Sequence, residues 1–529
     1  MCPERMRYSL FVKSLYFLLI LLLVIGIFFR FVNLERKIYW TDEVLTSSRI
    51  SGYTKEEVIQ QLYNNSVIRV NDLQKYQFPN PDKTLTDTIQ ALISHPEHAP
   101  LYFFLTRFWV QLFGNSVAIT RSLSAFFSLL AWPCIYWLCR ELFESPLVGW
   151  MAIALMTISP FHVLYAQEAR PYSLWTVTIL LSSWILLRAL RLNTQIIWGI
   201  YAVTVALGFY THLYFLFVSI GHGIYVIVIE RFRLNKIVKS YIFTSFIGIL
   251  AFTPWIWVFI QNWSKGWQSS SWLTKSLNNG IPELIFRWGR HISRVFIDFE
   301  LNYNFSFENP FPYIIAVLAI VTFAGYSIYF LCRRTIKPTW LFLLTLIVIP
   351  ALGTMLPDLI LGGQRSGTSR YLVPCYLGIQ LAVAYLLTTQ IISNVNIQRQ
   401  RLWQIITLVV FSIGVISCAN SFPAPEWWNK SGGQRLEIAQ IVNQAEKPLI
   451  INEYTWEHVI SLSYLLEPKV PIQFIDRSQG ISKPPDGFSD YFLYNVSQTS
   501  REELEKTYNY KSEPVVYNSK QVRLWRIEN

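Results

Sequence analysis

An acidic pair, Asp42 and Glu43, directly follows the first long apolar segment of this 529-residue chain. A carboxylate beside a cavity can take the proton from an attacking hydroxyl in a group-transfer reaction, while cationic groups stabilise the departing phosphate. Because an acidic dipeptide is a weak motif, a pair of solvated loop acids is the alternative interpretation. Either carboxylate is therefore a candidate general base.

A second polar motif, residues 167–170, separates two apolar segments and contains Glu168 and Arg170. Charged side chains at membrane depth are costly unless they are paired or face water. We therefore expect Glu168 and Arg170 to line a water-accessible cavity. The alternative is an ion pair at a helix end, next to the turn-forming Pro171.

The segment 95–113 begins with several polar residues, including Glu97 and His98, and continues as an apolar, aromatic stretch. This stretch is shorter than a membrane span and predicts an interfacial helix. It either frames the cavity and contacts a lipid tail or only anchors the chain at the membrane surface. His98 is the better candidate for substrate binding.

Three cationic or aromatic positions complete the candidate site. His212 ends a predicted span, and the glycine-containing segment 362–371 carries Arg365, Arg370 and Tyr371. Guanidinium groups match phosphate oxygens in a bidentate geometry. The alternatives are an ordinary helix-end hydrogen bond for His212 and arginines that extend to lipid headgroups.

The elements that must position these residues are membrane helices. Of the residues, 52% are hydrophobic and only 15% are charged, which excludes a water-soluble protein. A hydrocarbon core of about 30 Å requires about 20 apolar residues. The sequence predicts a polytopic α-helical membrane protein with about eleven spans, near 12–32, 117–139, 147–165, 173–190, 196–213, 215–229, 240–260, 311–331, 339–356, 371–389 and 402–419.

Lysine and arginine collect on alternate helix ends, which are predicted to be cytoplasmic. The N-terminus is then cytoplasmic, and the first segment is a retained anchor rather than a cleaved signal peptide. Loops 33–116 and 261–310 face outward, together with everything after 420. The net charge of +12 therefore indicates topology and attraction to anionic membrane lipids, and we expect no nucleic-acid partner.

Residues 1–419 form the predicted transmembrane domain, and residues 420–529 a small extracytoplasmic α/β domain. Helical patterns at 434–445 and 456–466 alternate with strand patterns at 448–451, 472–475 and 491–494. This tail contains no phosphate loop or nucleophile motif. It acts as a lid, as a docking surface for a partner, or as a purely structural cap.

These segments together resemble the superfamily of dolichyl- and undecaprenyl-phosphate-mannose protein mannosyltransferases, which has the glycosyltransferase C fold and includes aminoarabinose and rhizobial core-sugar transferases. The resemblance rests on the acidic pair at 42–43, the segments 95–102 and 112–125, and the turn 167–170, with a weaker similarity at 365–376. It covers mainly residues 10–230.

The resemblance implies transfer of a hexose or pentose from a polyprenyl-phosphate donor, with or without a divalent metal ion. By this resemblance Asp42 is the base, and Glu43 and Glu168 orient the donor or acceptor. If a metal is bound, these three carboxylates are its possible ligands. No counterpart of a large luminal β-trefoil is present at 261–310, so the expected acceptor is a lipid, a glycan or another cell-envelope component.

The expected location is the bacterial inner membrane. No nucleotide-binding glycine fingerprint is present on the cytoplasmic side, which favours a lipid-linked donor. A transporter or flippase of lipid-linked sugars is the main alternative, although no internal repeat is evident. A non-catalytic assembly subunit is the third possibility, and it predicts that Asp42, Glu168 and Arg365 do not converge.

Overall fold

A computed structural model describes residues 3–275, 277, 280–299, 311–393, 396–430, 434–476, 483–517 and 522–528. The structure is mainly helical. Its helices are α1 Pro3–Phe31, α2 Thr41–Ser51, α3 Lys55–Leu62, α4 Leu85–Ile93, α5 Leu101–Phe113, α6 Val117–Phe143, α7 Pro146–Thr157, α8 Pro160–Ala166, α9 Tyr172–Leu192, α10 Gln195–Thr211, α11 Phe215–Ile229, α12 Lys236–Gln261, α13 Trp263–Ser270, α14 Gly280–Ser293, α15 Phe311–Arg334, α16 Lys337–Leu361, α17 Val373–Ile392, α18 Ile397–Ser421, α19 Arg435–Gln444, α20 Trp456–Ser463 and α21 Gln498–Tyr508.

All eleven predicted spans are helical. In the described part of the chain, eight helices are long and apolar enough to cross a membrane: α1, α6, α9, α12, α15, α16, α17 and α18. The predicted span 147–165 is a bent pair, α7 and α8, with an angle of 63° between them. Helices α10 and α11 have only 17 and 15 residues, which at about 1.5 Å per residue is shorter than a 30 Å hydrocarbon core.

The bend between α7 and α8 has a local cause and positions the turn 167–170. Pro160 begins α8, and it cannot donate a backbone hydrogen bond into a continuous helix. The bend is fixed by Ser159, whose hydroxyl donates to the carbonyl of Val295 at 2.6 Å. At the other end of α8, the Gln167 amide donates to the carbonyl of Phe29 at 2.7 Å. The turn is thereby fixed against the end of α1.

The helix predicted within 95–113 is present as α5, Leu101–Phe113. The segment between α1 and α5 belongs to the loop 33–116, which was predicted to contain interfacial helices. It contains α2, α3 and α4 and a 3₁₀ turn at Val70–Tyr76. Helix α2 begins at Thr41, so Asp42 and Glu43 lie in its first turn. Carboxylates are favourable there because the N-terminus of a helix carries partial positive charge.

The tail forms the predicted α/β domain. Its sheet has the order β1-β3-β2-β4-β6-β5, in which β3, β2 and β4 are parallel and the remaining pairs are antiparallel. The predicted strands and helices of the tail are present, and α21, β5 and β6 were not predicted. The strands are β1 Val67–Arg69, β2 Pro448–Asn452, β3 Pro471–Phe474, β4 Asp490–Tyr494, β5 Lys511–Tyr517 and β6 Val522–Glu528.

The tail domain extends beyond the predicted boundary at residue 420. Strand β1 comes from the loop between α1 and α5 and pairs with β3. One apolar core contains Tyr39, Val44 and Val58 from that loop together with Ile450 and Phe474 from the tail. The loop that carries the acidic pair and the tail therefore form one packed unit.

Candidate active site

Helix α2 turns its two acidic residues in different directions. Successive residues of an α-helix point about 100° apart, because one turn takes 3.6 residues. The Asp42 side chain retains 23% of its exposure, whereas the Glu43 side chain retains none. The helix ends at Gly52, which adopts a left-handed conformation with φ of 87°, as is common at helix ends.

Glu43 joins four segments of the chain. Arg121 of α6 donates from Nε to Oε1 and from Nη2 to Oε2, both at 2.7 Å. Lys430 Nζ lies 2.9 Å from Oε2, and the backbone N–H of Ala169 donates to Oε1 at 2.9 Å. Burial alone would raise the pKa of Glu43, but Arg121 and Lys430 outweigh it and lower the pKa to about 2. Glu43 is therefore an ionised, buried anchor.

Glu168 lies behind the same centre. It is fully buried, and Oε1 accepts a hydrogen bond from Asn429 Nδ2 at 2.6 Å, with Lys430 Nζ at 4.0 Å. Burial raises the pKa of Glu168 to about 7, since it outweighs the attraction of Lys430. Unlike Glu43, this carboxyl exchanges its proton near neutral pH.

Glu168 should make the stability of the protein depend on pH. An unfolded Glu has a pKa of about 4.3, so between this value and about 7 the folded state binds more protons and stability falls as pH rises. We expect Glu168→Gln to remove about 1–3 kcal/mol of this loss between pH 5 and pH 8. The free energy of unfolding of both proteins, measured with denaturant in detergent at several pH values, tests this expectation. Identical pH slopes for the two proteins would contradict the assignment.

Asp42 faces two guanidinium groups. Its Oδ2 lies 3.3 Å from Arg370 Nη2 and 3.8 Å from Arg170 Nη2. Arg170 Nη1 also lies within hydrogen-bond distance of the Asp42 carbonyl, at 3.3 Å, and of Thr46 Oγ1, at 3.2 Å. The Arg370 guanidinium is 5.6 Å from the ring centre of Trp40. Asp42 is thus a partly exposed carboxylate held between two cations.

On one side of this centre lies a cavity of about 250 Å³, here named the aromatic cavity. Five predicted site residues line it, namely His98, Arg170, His212, Arg365 and Tyr371. Its other lining residues are largely aromatic or small and include Phe103, Tyr172, Tyr214, Phe259, Trp263 and Trp267.

The two histidines of the aromatic cavity are neutral. His212 stacks on Trp175, with ring centres 4.1 Å apart, and its Nδ1 accepts a hydrogen bond from the backbone of Tyr214. Burial, together with Arg170 and Arg370, lowers the pKa of His212 to about 3. Burial and Arg49 also hold the pKa of His98 well below its usual value. The positive charge of this cavity therefore comes from its arginines.

On the other side lies a second cavity of about 490 Å³, here named the arginine cavity. Its basic lining residues are Arg287, Arg290, Arg294 and Arg370, with His291 among them, and Glu283 is the one acidic residue in the described part of its lining. Glu283 accepts a hydrogen bond from Arg287 Nε at 3.0 Å. The cavity therefore carries a net positive charge.

Helix α14 supplies most of this charge from one face. Arg287, Arg290 and Arg294 are spaced three and four residues apart, so they lie along the same side of the helix and its C-terminal end. Arg294 lies over Trp428, 3.7 Å from the ring centre, which is a cation–π contact. Because Arg370 and Trp40 also line this cavity, it reaches the Asp42 centre.

The three carboxylates named as possible metal ligands do not form a metal site. Both Glu43 oxygens already accept hydrogen bonds from cationic groups, and Lys430 lies between Glu43 and Glu168. In the described part of the chain, no three His, Cys, Asp or Glu side chains group with ligand geometry. A divalent cation beside Lys430 and Arg121 would be repelled, so the metal interpretation does not fit these residues.

Several residues around the centre were not predicted. Arg121 had a sequence signal, since a charge inside an apolar span requires a partner. The spacing of arginines in α14 was a second signal. Lys430 and Asn429 had none, because they reach the site from the linker before the tail, more than 250 residues after the groups they contact.

Residues 95–257 match the family described as dolichyl-phosphate-mannose-protein mannosyltransferase. No curated protein sequence matches the chain significantly. ArnT from Cupriavidus metallidurans in the apo state is 11% identical with a TM-score of 0.50, and the similarity covers 98% of each chain. The same protein bound to undecaprenyl phosphate is 12% identical, with coverage of 96% and 97% and a TM-score of 0.47.

An oligosaccharyltransferase from Archaeoglobus fulgidus, tethered with an acceptor peptide, is 12% identical with a TM-score of 0.45. That similarity covers 83% of this chain but only 64% of the archaeal one, so the chain spans less than two thirds of its length. The likeness to apo ArnT, at full coverage, is a likeness of fold. The chain is an integral membrane protein with the glycosyltransferase C fold, and its residues 95–257 carry the sequence pattern of the dolichyl-phosphate-mannose-protein mannosyltransferase family.

Proposed function

We propose that this protein is a glycosyltransferase that moves one sugar from a polyprenyl-phosphate donor to an acceptor on the extracytoplasmic face of a bacterial inner membrane. The observation that carries the proposal is the position of Asp42 between Arg170, which lines the aromatic cavity, and Arg370, which lines the arginine cavity. The match of residues 95–257 to a mannosyltransferase family supports the reaction class.

The aromatic cavity suits the donor. Trp263 and Trp267 of α13 line its edge and remain more than half exposed, at 55% and 56%. Exposed tryptophans beside membrane helices lie at the lipid interface, where a polyprenyl tail can enter. Arg170 and Arg365 line the same cavity, and their guanidinium groups can bind the donor phosphate.

The arginine cavity suits the acceptor. Its four arginines and the polar groups of Gln364, Thr368 and Ser369 provide a hydrogen-bonding, cationic surface. A lipid or glycan headgroup that carries phosphate or carboxylate satisfies this surface better than a neutral one. The accepting hydroxyl of such a headgroup can approach Asp42 past Arg370, which lines this cavity and pairs with Asp42.

The proposed reaction is one displacement. Asp42 removes the proton from the acceptor hydroxyl, and the oxygen forms a bond to the anomeric carbon while the bond from that carbon to the phosphate oxygen breaks. The phosphate leaves with the bonding electron pair, and the positive charge of Arg170 and Arg370 stabilises it. Glu43 touches no reactant in this scheme and positions α2 instead.

The function is tested with purified protein in lipid bilayers and a panel of radiolabelled polyprenyl-phosphate sugars. We expect the label of one donor to move to extracted envelope lipids or glycans, with release of polyprenyl phosphate. If the intact donor instead crosses the bilayer without losing its sugar, the protein is a transporter of lipid-linked sugars. If no donor loses its sugar and no donor crosses the bilayer, both interpretations are contradicted.

The acceptor assignment predicts the effect of Arg287→Gln combined with Arg290→Gln. Hydrogen bonds to charged groups contribute about 1.5–3 kcal/mol each, so KM for an anionic acceptor should rise at least about tenfold with kcat nearly unchanged. Arg69→Gln, in the same outer loop as the acidic pair but outside both cavities, is the matched control. An unchanged KM in the double variant would place the acceptor elsewhere.

A further inference from the structure

The tail domain has its own cavity, separate from the proposed site. This cavity, here named the tail crevice, measures about 490 Å³ and lies beyond the carboxyl ends of β2 and β4. Strand β3 lies on one side of β2, and the chain reaches it from β2 through α20. Strand β4 lies on the other side of β2, and the chain continues from β4 into α21. In open α/β sheets, ligands bind at the carboxyl ends of two neighbouring strands whose connections run to opposite sides.

The crevice is cationic. Arg501 and Arg523 line it, and none of its described lining residues is acidic. Arg501 is held in place, because it donates to Glu505 at 2.9 Å and lies 4.2 Å from the ring centre of Trp525. Arg523 is half-buried, and among the described residues no carboxylate lies within ion-pair distance of it. The charge of Arg523 is therefore available to a ligand.

Glu453, which directly precedes the lining residue Tyr454, is not among the described lining residues and instead binds residues of the crevice wall. Its carboxylate accepts hydrogen bonds from the Ser497 backbone N–H at 2.6 Å and from the Ser500 hydroxyl at 2.6 Å. Burial, with Arg435 and Arg523, lowers the pKa of His458 to about 3. His458 therefore lines the crevice as a neutral hydrogen-bonding group.

Most of the remaining polar lining groups can form hydrogen bonds with hydroxyls. Amides of Asn495 and Gln498 and hydroxyls of Thr455 and Ser497 surround the crevice, beside the indole of Trp525. Thr455 has a φ of 56°, which is rare for a β-branched residue. Such a backbone persists only where the surrounding structure fixes it. The crevice is therefore a shaped surface with hydroxyl-binding and anion-binding groups together.

We infer that the tail crevice binds an anionic saccharide, a sugar unit that carries a carboxylate or a phosphate. Arg523 pairs with the anionic group, and the amides and hydroxyls pair with the sugar hydroxyls. This site is independent of glycosyl transfer, since none of its lining residues lines the aromatic or arginine cavity. Helix α20 connects the two regions, because Ser461 donates to the Tyr39 carbonyl at 2.6 Å.

The test measures equilibrium binding to the full chain in zwitterionic lipid nanodiscs. The probes are trigalacturonate and glucose 6-phosphate, with maltotriose as the neutral comparison. We expect at least one anionic probe to bind at least about tenfold more tightly than maltotriose, and the better probe identifies carboxylate or phosphate as the recognised group. Equal binding of neutral and anionic saccharides, or no binding of either anionic probe, would overturn the inference.

Arg523→Gln and Gln498→Ala locate the probe in the crevice. We expect Arg523→Gln to weaken binding at least about tenfold and Gln498→Ala to weaken it less, because the lost bond of Gln498 is uncharged. Lys511→Gln removes one exposed positive charge from β5, outside the crevice, and should leave binding within about twofold. If Lys511→Gln and Arg523→Gln weaken binding equally, the probe is attracted by overall charge and the crevice is not the site.

Discussion

Replacing Asp42 by Asn should lower the rate of sugar transfer by at least about 100-fold, because a positioned general base contributes about 10²–10⁴ to the rate. Asn has nearly the shape of Asp but cannot accept the proton of the acceptor hydroxyl. Its side chain can still lie between Arg170 and Arg370. The loss should therefore fall on kcat, with KM for the donor changed only a few fold.

Asp82→Asn is the matched control, since Asp82 is an exposed acid of the same segment between α1 and α5 and, unlike Asp42, is not among the described ion-pair partners of Arg170 and Arg370. Its transfer rate should equal that of the wild type. Both variants must have the same unfolding midpoint as the wild type before the rates are compared. Transfer by a well-folded Asp42→Asn protein at the wild-type rate would exclude Asp42 as the base.

Replacing Glu43 by Gln should have the largest effect on stability. Removing one partner of a buried ion pair leaves the other charges uncompensated and costs about 3–5 kcal/mol. Here two cations, Arg121 and Lys430, both fully buried, lose their shared carboxylate. Unfolding of the purified proteins by denaturant in mixed micelles measures the difference in free energy.

Glu57→Gln provides the comparison for this measurement. Glu57 also pairs with a lysine, Lys83, at 2.8 Å, but its side chain keeps 39% of its exposure. Exposed ion pairs contribute about 0–1 kcal/mol, so this variant should be nearly as stable as the wild type. Similar losses in the two variants would show that the Glu43 cluster is not the anchor described above.

The sequence predicted the long apolar helices, because they follow from simple rules of membrane insertion. Of the residues predicted for the site, Arg170 and Arg370 pair with Asp42, whereas His98 and Arg365 line the aromatic cavity. The sequence did not distinguish Asp42 from Glu43. Two adjacent acids look alike until the start of α2 is known, and only then is one side chain seen to be partly exposed and the other fully buried.

The bend between α7 and α8 was missed for a different reason. Hydrophobicity alone predicts a span wherever about 18 apolar residues follow one another, and it does not register the break at Pro160. Helices α10 and α11 were predicted close to their observed bounds, but as membrane spans. The sequence also did not predict that β1 pairs with the tail, across about 400 residues of sequence. Local patterns carry no information about such a pairing.

The tail also contributes to the site itself, which its composition did not indicate. Lys430 and Asn429 precede the first tail helix and bind Glu43 and Glu168. Helix α20 of the tail packs against α2, and Ser461 of α20 donates a hydrogen bond to the Tyr39 carbonyl. We therefore assign the tail a positioning role at the proposed centre, in addition to the ligand site inferred for its crevice.

The configuration of the new glycosidic bond tests the central claim most directly. A single displacement with Asp42 as base inverts the anomeric carbon, whereas retention requires a second carboxylate that attacks the sugar first. Of the acids nearest Asp42, Glu43 and Glu168 are fully buried and bonded to other groups. NMR of the first product should show the configuration opposite to that of the donor. A retained configuration would contradict the direct displacement at Asp42.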